Sequence, residues 1–163
     1  MLSSRYRKHK VVLRLYGRNH ESAFVARLEK LVADMPDVEL GPELPHDAYI
    51  EALRASDIVL SAARDDTLPL VSLDALALGR IMVCTRETGT SDFLEEGVSG
   101  FVATQASPEA VAAGLERALD RIADWPAIGA KARSVFEENF TKHSFHQRTL
   151  SLLGLQEEGV KAV

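Results

Sequence analysis

Cysteine, long apolar runs and an excess of positive charge are all missing from this sequence of 163 residues. Its single cysteine, Cys84, excludes an internal disulfide and a zinc site built from cysteines. No apolar run reaches the roughly 18 residues of a membrane span. Arg14 interrupts the apolar run over residues 11–15, so that run is not the core of a signal peptide. We therefore expect a cytoplasmic protein.

The charge balance argues against nucleic acid as a partner. The chain has 19 Lys and Arg against 24 Asp and Glu, a net charge of −5, so generic binding to a phosphate backbone has little electrostatic support. One basic run, residues 5–10, lies at the N-terminus. It predicts a solvated arm, and the alternative is a peripheral contact with anionic membrane lipid.

Histidine is too scattered to predict a metal site. Of five histidines, only His143 and His146 have the i, i+3 spacing of one helical face, and no acid lies nearby to complete a ligand set. We therefore predict no metal site in this chain.

Short apolar segments of strand length alternate with segments of helical periodicity. The predicted strands cover residues 11–17, 38–41, 57–61, 81–85 and 100–103. The predicted helices cover residues 22–33, 45–55 and 69–78, followed by a helical region that begins at 107. Such alternation with short connections predicts an α/β fold with a parallel, doubly wound, Rossmann-like sheet.

The length supports one sizeable hydrophobic core rather than two, because a chain of this size buries about 70% of its unfolded surface. We predict one domain over residues 11–155. A basic arm, residues 1–10, precedes it, and a flexible polar tail, residues 156–163, follows it.

Ligands of parallel, doubly wound sheets bind beyond the carboxyl ends of the strands. Three stretches of this chain lie there, residues 17–21, 61–69 and 86–92. In the second stretch a strand is followed by a polar turn, and Pro69 then opens a helix. The free N–H groups of that helix would face the same edge and favour an anion.

Two acids near this helix have different explanations. Asp66 lies just before the helix, so it is either the N-cap or part of a site. Asp74 lies inside a helix that is apolar nearly all round, which predicts a buried helix and a carboxylate that needs a partner. That partner is either an arginine, Arg64 or Arg80, or the hydroxyl groups of a bound ligand.

The third stretch is rich in small residues. Gly89 and Thr90 follow a strand and precede a short helix, so their N–H groups either cradle a phosphate or form an ordinary turn.

These stretches together resemble the C-terminal, donor-binding half of the GT-B glycosyltransferases of group 1 (the GT4 family). The signature of that family is a pair of acids separated by seven residues around Pro-Leu, followed by Ala-x-Ala-x-Gly. Here Asp66 and Asp74 are separated by seven residues around Pro69-Leu70, and Ala75-Leu76-Ala77-Leu78-Gly79 follows. The segments 38–41, 55–61, 89–93 and 97–102 match other parts of the family pattern in the same order.

The resemblance implies a role for each matching residue. Asp74 would hold the ribose hydroxyls of a nucleotide-sugar, and Asp66 would lie beside the donor sugar as the catalytic residue. The N–H groups of Leu70 and Val71 would meet the diphosphate, while residues 41–44 would border the base. The remaining residues assigned to donor binding are Arg64, Thr67, Leu68, Gly89, Thr90, Gly17 and Arg18.

The chemistry implied by the resemblance is transfer of a glycosyl group with retained configuration. The leaving diphosphate would be stabilised by helix N-termini and basic side chains, without a metal or another cofactor. Glycan or lipid-linked acceptors are the implied substrates, in biosynthesis of polysaccharides or related products.

The chain departs from the family pattern in three respects. Both acids are Asp where the family has Glu, and Thr67-Leu68 replaces a Gly-aromatic pair. Neither the first strand–helix unit of the donor domain nor the N-terminal acceptor domain is found in the sequence, so we expect the isolated chain to bind donor and to be inactive in transfer.

The first alternative is a non-catalytic binding or partner module that keeps half of the GT-B fold. A further alternative is a flavodoxin-like signalling or nucleotide-binding domain with Asp65 and Asp66 as its acidic pocket. Receiver domains place such acids after the first strand, however, and here they follow the third.

Overall fold

A computed structural model describes residues 10–18 and 21–155 of the chain. The predicted tail and all but the last residue of the predicted arm lie outside these residues. The chain divides into two compact units, Met1–Ala55 and Ser56–Val163. The predicted one-domain organisation stays a prediction.

The first unit alternates strands and helices: β1 (Leu13–Tyr16), α1 (Ser22–Val32), β2 (Val38–Gly41) and α2 (His46–Arg54). The two strands are parallel, with Leu13 opposite Val38 and Tyr16 opposite Gly41. Between them, the Arg14 guanidinium donates to the Glu39 carboxylate at 2.7 Å. The short apolar segments and the helical periodicity therefore give the elements that the sequence predicts.

The second unit carries a three-stranded parallel sheet in the order β3-β4-β5. Its elements are β3 (Ile58–Ser61), α3 (Leu70–Ala77), β4 (Ile81–Thr85), β5 (Phe101–Ala103), α4 (Pro108–Asp120), α5 (Trp125–Asn139) and α6 (Lys142–Leu152). A short 3₁₀ helix, Gly89–Phe93, lies between β4 and β5. Parallel strands joined by a helical crossover are the arrangement that strand–helix alternation predicts.

The core of this unit is built around β4, the middle strand, in which all five residues are buried. Ile81 and Val83 of this strand form an apolar cluster with Phe101, Ala118 and Ile128. A strand buried on both faces is expected to be a continuous apolar run, as the sequence of β4 is up to its last residue.

The helix α3 is less buried than its composition predicts. Ser72, Ala75 and Leu76 are buried, at the i, i+3, i+4 spacing of one helical face. Leu70, in contrast, is 75% exposed, and Asp74 is half-buried. The expectation of a helix buried all round is therefore wrong, because α3 packs on the sheet and α5 along one side and leaves its N-terminal end open.

Two glycines allow the end of α3 to approach α5 closely. A Cβ atom on Gly129 would lie 2.4 Å from the carbonyl oxygen of Gly79, so only glycine fits at this crossing. Gly79 itself has a φ of +63°, the left-handed conformation that commonly ends a helix.

The predicted start of the C-terminal helical region is confirmed. The Ser107 Oγ accepts a hydrogen bond from the Ala110 N–H at 3.2 Å, and Pro108 occupies the first turn of α4. Within the described ranges, no helix combines the length and the apolar character that crossing a membrane requires.

Candidate donor-binding site

The structure brings together two of the three predicted stretches, at the carboxyl ends of β3 and β4. The Asp66 N–H donates to the Glu87 carbonyl at 3.2 Å, and the Asp66 carbonyl accepts from the Gly89 N–H at 2.8 Å. These two bonds form a parallel bridge between Asp66 and Thr88 beyond the ends of the strands. The candidate acid and the glycine turn are therefore neighbours, as the rule for parallel sheets predicts.

Gly89 is held against the segment that carries the acid. A Cβ atom built on Gly89 would lie 1.7 Å from the Thr67 carbonyl oxygen, a separation at which something must shift. The absence of a side chain is therefore a steric requirement, which gives Gly89 a structural role whether or not it binds phosphate.

Two hydroxyl groups next to the Asp66–Thr88 bridge connect the same two segments by hydrogen bonds. The Thr85 Oγ1 donates to the Ala63 carbonyl at 2.5 Å. The Thr88 Oγ1 lies 3.1 Å from the Thr85 Oγ1. Neither threonine was among the predicted site residues. The signal that could have found Thr85 is its position as the one hydroxyl residue at the end of an otherwise apolar, buried strand.

The Asp66 side chain does not cap α3. Its Oδ1 accepts a hydrogen bond from the Leu68 N–H at 3.2 Å, which closes a turn two residues long. The residue that precedes α3 is Pro69, with no side-chain capping bond. The N-cap alternative is therefore not what the structure shows, and the half-buried Asp66 carboxylate lies on the loop before the helix.

The first turn of α3 leaves backbone donors open. The N–H groups of Ser72 and Leu73 bond to the Pro69 carbonyl, at 3.0 and 3.4 Å. The Leu70 and Val71 N–H groups have no acceptor in the part of the chain that the structure describes. Open N–H groups at a helix start carry the partial positive charge that favours an anion.

Asp74 lies one turn further along α3. Of its two candidate arginines, Arg80 donates through Nε to the Leu78 carbonyl at 3.1 Å and through Nη1 to the Ser56 carbonyl at 3.3 Å. Arg64 is exposed and forms no ion pair with any residue described. Contacts between Asp74 and ligand hydroxyls stay a prediction.

Thr90 is placed differently from its predicted role. The residue is 0% exposed, and its Oγ1 has no hydrogen-bond partner among the residues described. The Ser72 Oγ, on the inner face of α3, is buried and unpartnered in the same way. A ligand contact at Thr90 would therefore require the 3₁₀ turn to move.

The remaining predicted stretch, residues 17–21, belongs to the first unit. Gly17 is open, with nothing within 4 Å of the position of a Cβ atom. The Arg18 guanidinium donates to both carboxylate oxygens of Glu43, at 2.5 and 2.6 Å, and this hydrogen-bonded pairing raises the pKa of Arg18. Arg18 therefore already has a carboxylate partner inside its own unit. Asn19 and His20, which complete the loop, lie outside the described residues.

Two further features lie away from these loops. Over the described ranges, no three His, Cys, Asp or Glu side chains are grouped so as to hold a metal ion. A surface cavity of about 480 Å³ lies at the other end of α3, where Gly79 and Arg80 face Trp125, Pro126 and Arg133. It shares no residue with the predicted site.

Known proteins with similar sequences are glycosyltransferases. The chain is 28% identical over 137 residues to the amylovoran biosynthesis glycosyltransferase AmsK of Erwinia amylovora, covering 78% of this chain and 34% of the relative. It is 29% identical over 97 residues to the D-inositol 3-phosphate glycosyltransferase of Acidothermus cellulolyticus, covering 58% and 22%. The chain thus spans about a third or less of the length of these relatives.

Solved structures confirm the predicted α/β, Rossmann-like fold. HepE of Anabaena, crystallised with UDP-glucose, superposes with a TM-score of 0.74 at 19% identity, covering 88% of this chain and 41% of HepE. A sucrose-phosphate synthase from Thermosynechococcus elongatus gives 0.73 at 19% identity, covering 87% and 37%. The family model described as "Glycosyl transferases group 1" matches residues 2–121, most of the chain. The chain belongs to the group 1 glycosyltransferase family.

Proposed function

We propose that this chain is the nucleotide-sugar-binding part of a retaining glycosyltransferase. The observation that carries the proposal is the contact between the Asp66 loop and the Gly89 turn, next to the open N–H groups of α3. A donor diphosphate carries the negative charge that a helix start favours. HepE, which shares the fold, is crystallised with UDP-glucose, and this supports a nucleotide-sugar as the ligand.

Each end of the donor has a candidate partner. The diphosphate meets the Leu70 and Val71 N–H groups, and the sugar lies beside the Asp66 carboxylate. The ribose hydroxyls are accepted by Asp74, whose position inside α3 puts a carboxylate within a mostly apolar helix. Exposed Arg64, on the same loop as Asp66, adds positive charge near the leaving group.

The proposed chemistry needs no metal. Departure of the nucleoside diphosphate leaves an oxocarbenium-like sugar, and the two charges are stabilised separately. Helix N–H groups and basic side chains stabilise the diphosphate, while the Asp66 carboxylate lies beside the positive sugar. Acceptor binding, and therefore transfer to a glycan or a lipid-linked acceptor, belongs to the remainder of the enzyme, and the isolated chain binds donor without turnover.

A thermal-shift panel tests donor binding directly. The chain is heated without metal and with UDP, GDP, ADP or TDP, and with sugars of each nucleotide. A ligand at about 100 times its Kd adds about 2.7 kcal/mol, which raises the Tm by roughly 5–11 °C for a chain of this size. A shift with one nucleotide supports the proposal and identifies the base. No shift with any nucleotide contradicts donor binding by this chain.

Asp74→Ala separates the ribose contact from general stability. We expect this variant to fold and to lose the nucleotide shift, because a carboxylate that accepts two hydroxyl groups cannot be replaced by a methyl group. Asp57→Ala is the matched control, since it removes the same charge from an exposed position before β3. Unchanged nucleotide affinity in Asp74→Ala would contradict the ribose assignment.

A binding module without turnover is the second candidate. The observation in its favour is that both acids are Asp, and that one oxygen of Asp66 is already bonded to its own loop. A neighbouring reading frame that encodes an acceptor-binding half, and that restores transfer when the two proteins are mixed, would support the enzyme. Nucleotide binding that never leads to transfer in such a mixture would support the module.

A further inference from the structure

The loop that carries Asp66 has no helix or strand of its own between Ser61 and Leu70. Its position therefore depends on bonds to its neighbours. Three are described, and all three join the loop to the last residue of β4 or to the segment that follows it. They are the Asp66 N–H to the Glu87 carbonyl, the Gly89 N–H to the Asp66 carbonyl, and the Thr85 hydroxyl to the Ala63 carbonyl.

The directions of the hydroxyl bonds follow from counting protons. A threonine hydroxyl has one proton to donate, and Thr85 donates it to the Ala63 carbonyl at 2.5 Å. The 3.1 Å contact with Thr88 must then run the other way, with the Thr88 hydroxyl donating to the Thr85 oxygen. Two consecutive hydrogen bonds therefore run from the Thr88 hydroxyl to the Thr85 hydroxyl and from there to the Ala63 carbonyl of the loop.

Both threonines are fully buried, with 0% of their surface exposed. If one of these hydroxyl groups is removed, water can take its place only when the structure opens. Removal of the Thr85 hydroxyl would leave the Ala63 carbonyl and the Thr88 hydroxyl without their described partners, and an unsatisfied buried group is more costly than a lost exposed bond.

The two linked hydroxyl groups help to hold both Asp66 and Gly89, the residues that the donor is proposed to meet. Thr85 fixes the loop three residues before Asp66, and Thr88 lies between the two backbone bonds that hold Asp66. We propose that Thr85 and Thr88 are positioning residues, which set the distance between the Asp66 carboxylate and the Gly89 turn. This proposal rests on the proposed function for its catalytic meaning, but the coupling itself is a property of the unliganded chain.

The experiment is amide hydrogen exchange on the full chain without nucleotide. Thr85→Val and Thr88→Val keep the side-chain shape and remove the hydroxyl, whereas Thr85→Ser restores it. Ser99→Ala is the matched control, because it removes a buried hydroxyl of the same unit that accepts from the Glu95 N–H. The reporters are the Asp66 and Gly89 amides, with the Val83 amide in β4 as a reference for global opening.

We expect Thr85→Val to accelerate exchange at the Asp66 and Gly89 amides about tenfold or more relative to Val83. Thr88→Val should give a smaller change in the same amides, Thr85→Ser should restore protection, and Ser99→Ala should leave both amides unchanged. Equal acceleration of all amides, or no local change in a folded Thr85→Val, would overturn the proposal.

Nucleotide binding is measured separately on the same variants, with UDP and UDP-glucose as probes. If the wild-type chain binds neither probe nor any nucleotide of the panel, the proposed function fails, while the exchange data still decide whether the threonines hold the loop. If the wild-type chain binds a probe, Thr85→Val should weaken that binding and Thr85→Ser should restore it.

Discussion

The contact between Gly89 and the Thr67 carbonyl gives a sharp prediction. In Gly89→Ala the new Cβ atom would start 1.7 Å from that oxygen, and real Cβ atoms keep at least 3.0 Å from such atoms. The Gly89 turn and the segment at Thr67 must therefore move apart by at least 1.3 Å, the difference between these two distances. The 2.8 Å bond from the Gly89 N–H to the Asp66 carbonyl cannot survive that movement.

The expected cost has two parts. Overpacking and loss of the bridge should lower the free energy of unfolding by about 1–3 kcal/mol. A displacement of about 1 Å at a reacting group is worth roughly 100-fold in rate, so Asp66 would no longer be placed for its proposed role. Binding of the diphosphate should weaken with it, because the Gly89 turn borders the same loop.

Urea unfolding and nucleotide titration measure the two parts separately. Gly114→Ala is the matched control: its Cβ would lie 3.2 Å from the Val83 Cγ1, in the middle of α4 and away from the loops. The control should keep full nucleotide affinity. Gly89→Ala with unchanged stability and unchanged affinity would refute the steric reasoning and show that the two loops move independently.

Three further predictions concern the rest of the second unit. Ser107→Ala should lower the free energy of unfolding by about 1 kcal/mol, measured by urea, because the Ala110 N–H loses its acceptor, and Ser107→Asp should preserve it. Gly129→Ala should lower the Tm with no change in nucleotide affinity, since its Cβ would meet the Gly79 carbonyl at 2.4 Å. Burial, with a smaller effect from the charge of Glu96, raises the Cys84 pKa from 9.0 to about 12. As the pH rises, the thiol ionises at a lower pH in the unfolded chain than in the folded chain. The free energy of unfolding should therefore fall between about pH 9 and 12, and this fall should be shallower in Cys84→Ala.

The sequence predicts the elements of this fold well because their signals are local. The strands β2 and β4 have the predicted bounds, and the other strands differ from prediction by a few residues at their ends. Apolar runs of four or five residues between polar turns leave little choice of structure. The predicted helix over residues 69–78, which Pro69 and Gly79 delimit, agrees with α3 within one residue at each end.

Burial around α3 could not be predicted from composition. Hydrophobicity describes the side chains of a helix, but not which side of it other elements cover. Leu70 is apolar and yet exposed, because the buried face of α3 is the one that carries Ser72, Ala75 and Leu76. Asp74, whose carboxylate was expected to be buried, is half-buried.

The contacts that position the site are non-local, and this is why the threonine chain and the Gly89 contact were missed. Thr85 and Ala63 are 22 residues apart in the sequence, and the position of Thr85 at the end of an apolar strand does not say which carbonyl its hydroxyl bonds. The resemblance to the family directs attention to acids and glycines. It says nothing about the buried hydroxyls that hold them.

The Asp at the first acidic position, where the family pattern has Glu, can be understood from this geometry. An Asp carboxylate is one methylene closer to its backbone than a Glu carboxylate, so its reach depends more strongly on where the backbone lies. Here the Asp66 backbone is fixed on both sides, by the Glu87 carbonyl and the Gly89 N–H, and one carboxylate oxygen is fixed by the Leu68 N–H. A shorter side chain on a loop held by these bonds has fewer positions open to its carboxylate. If this is the role of the loop, Asp66→Glu should weaken donor binding rather than improve it, although Glu is the residue that the family pattern has at this position.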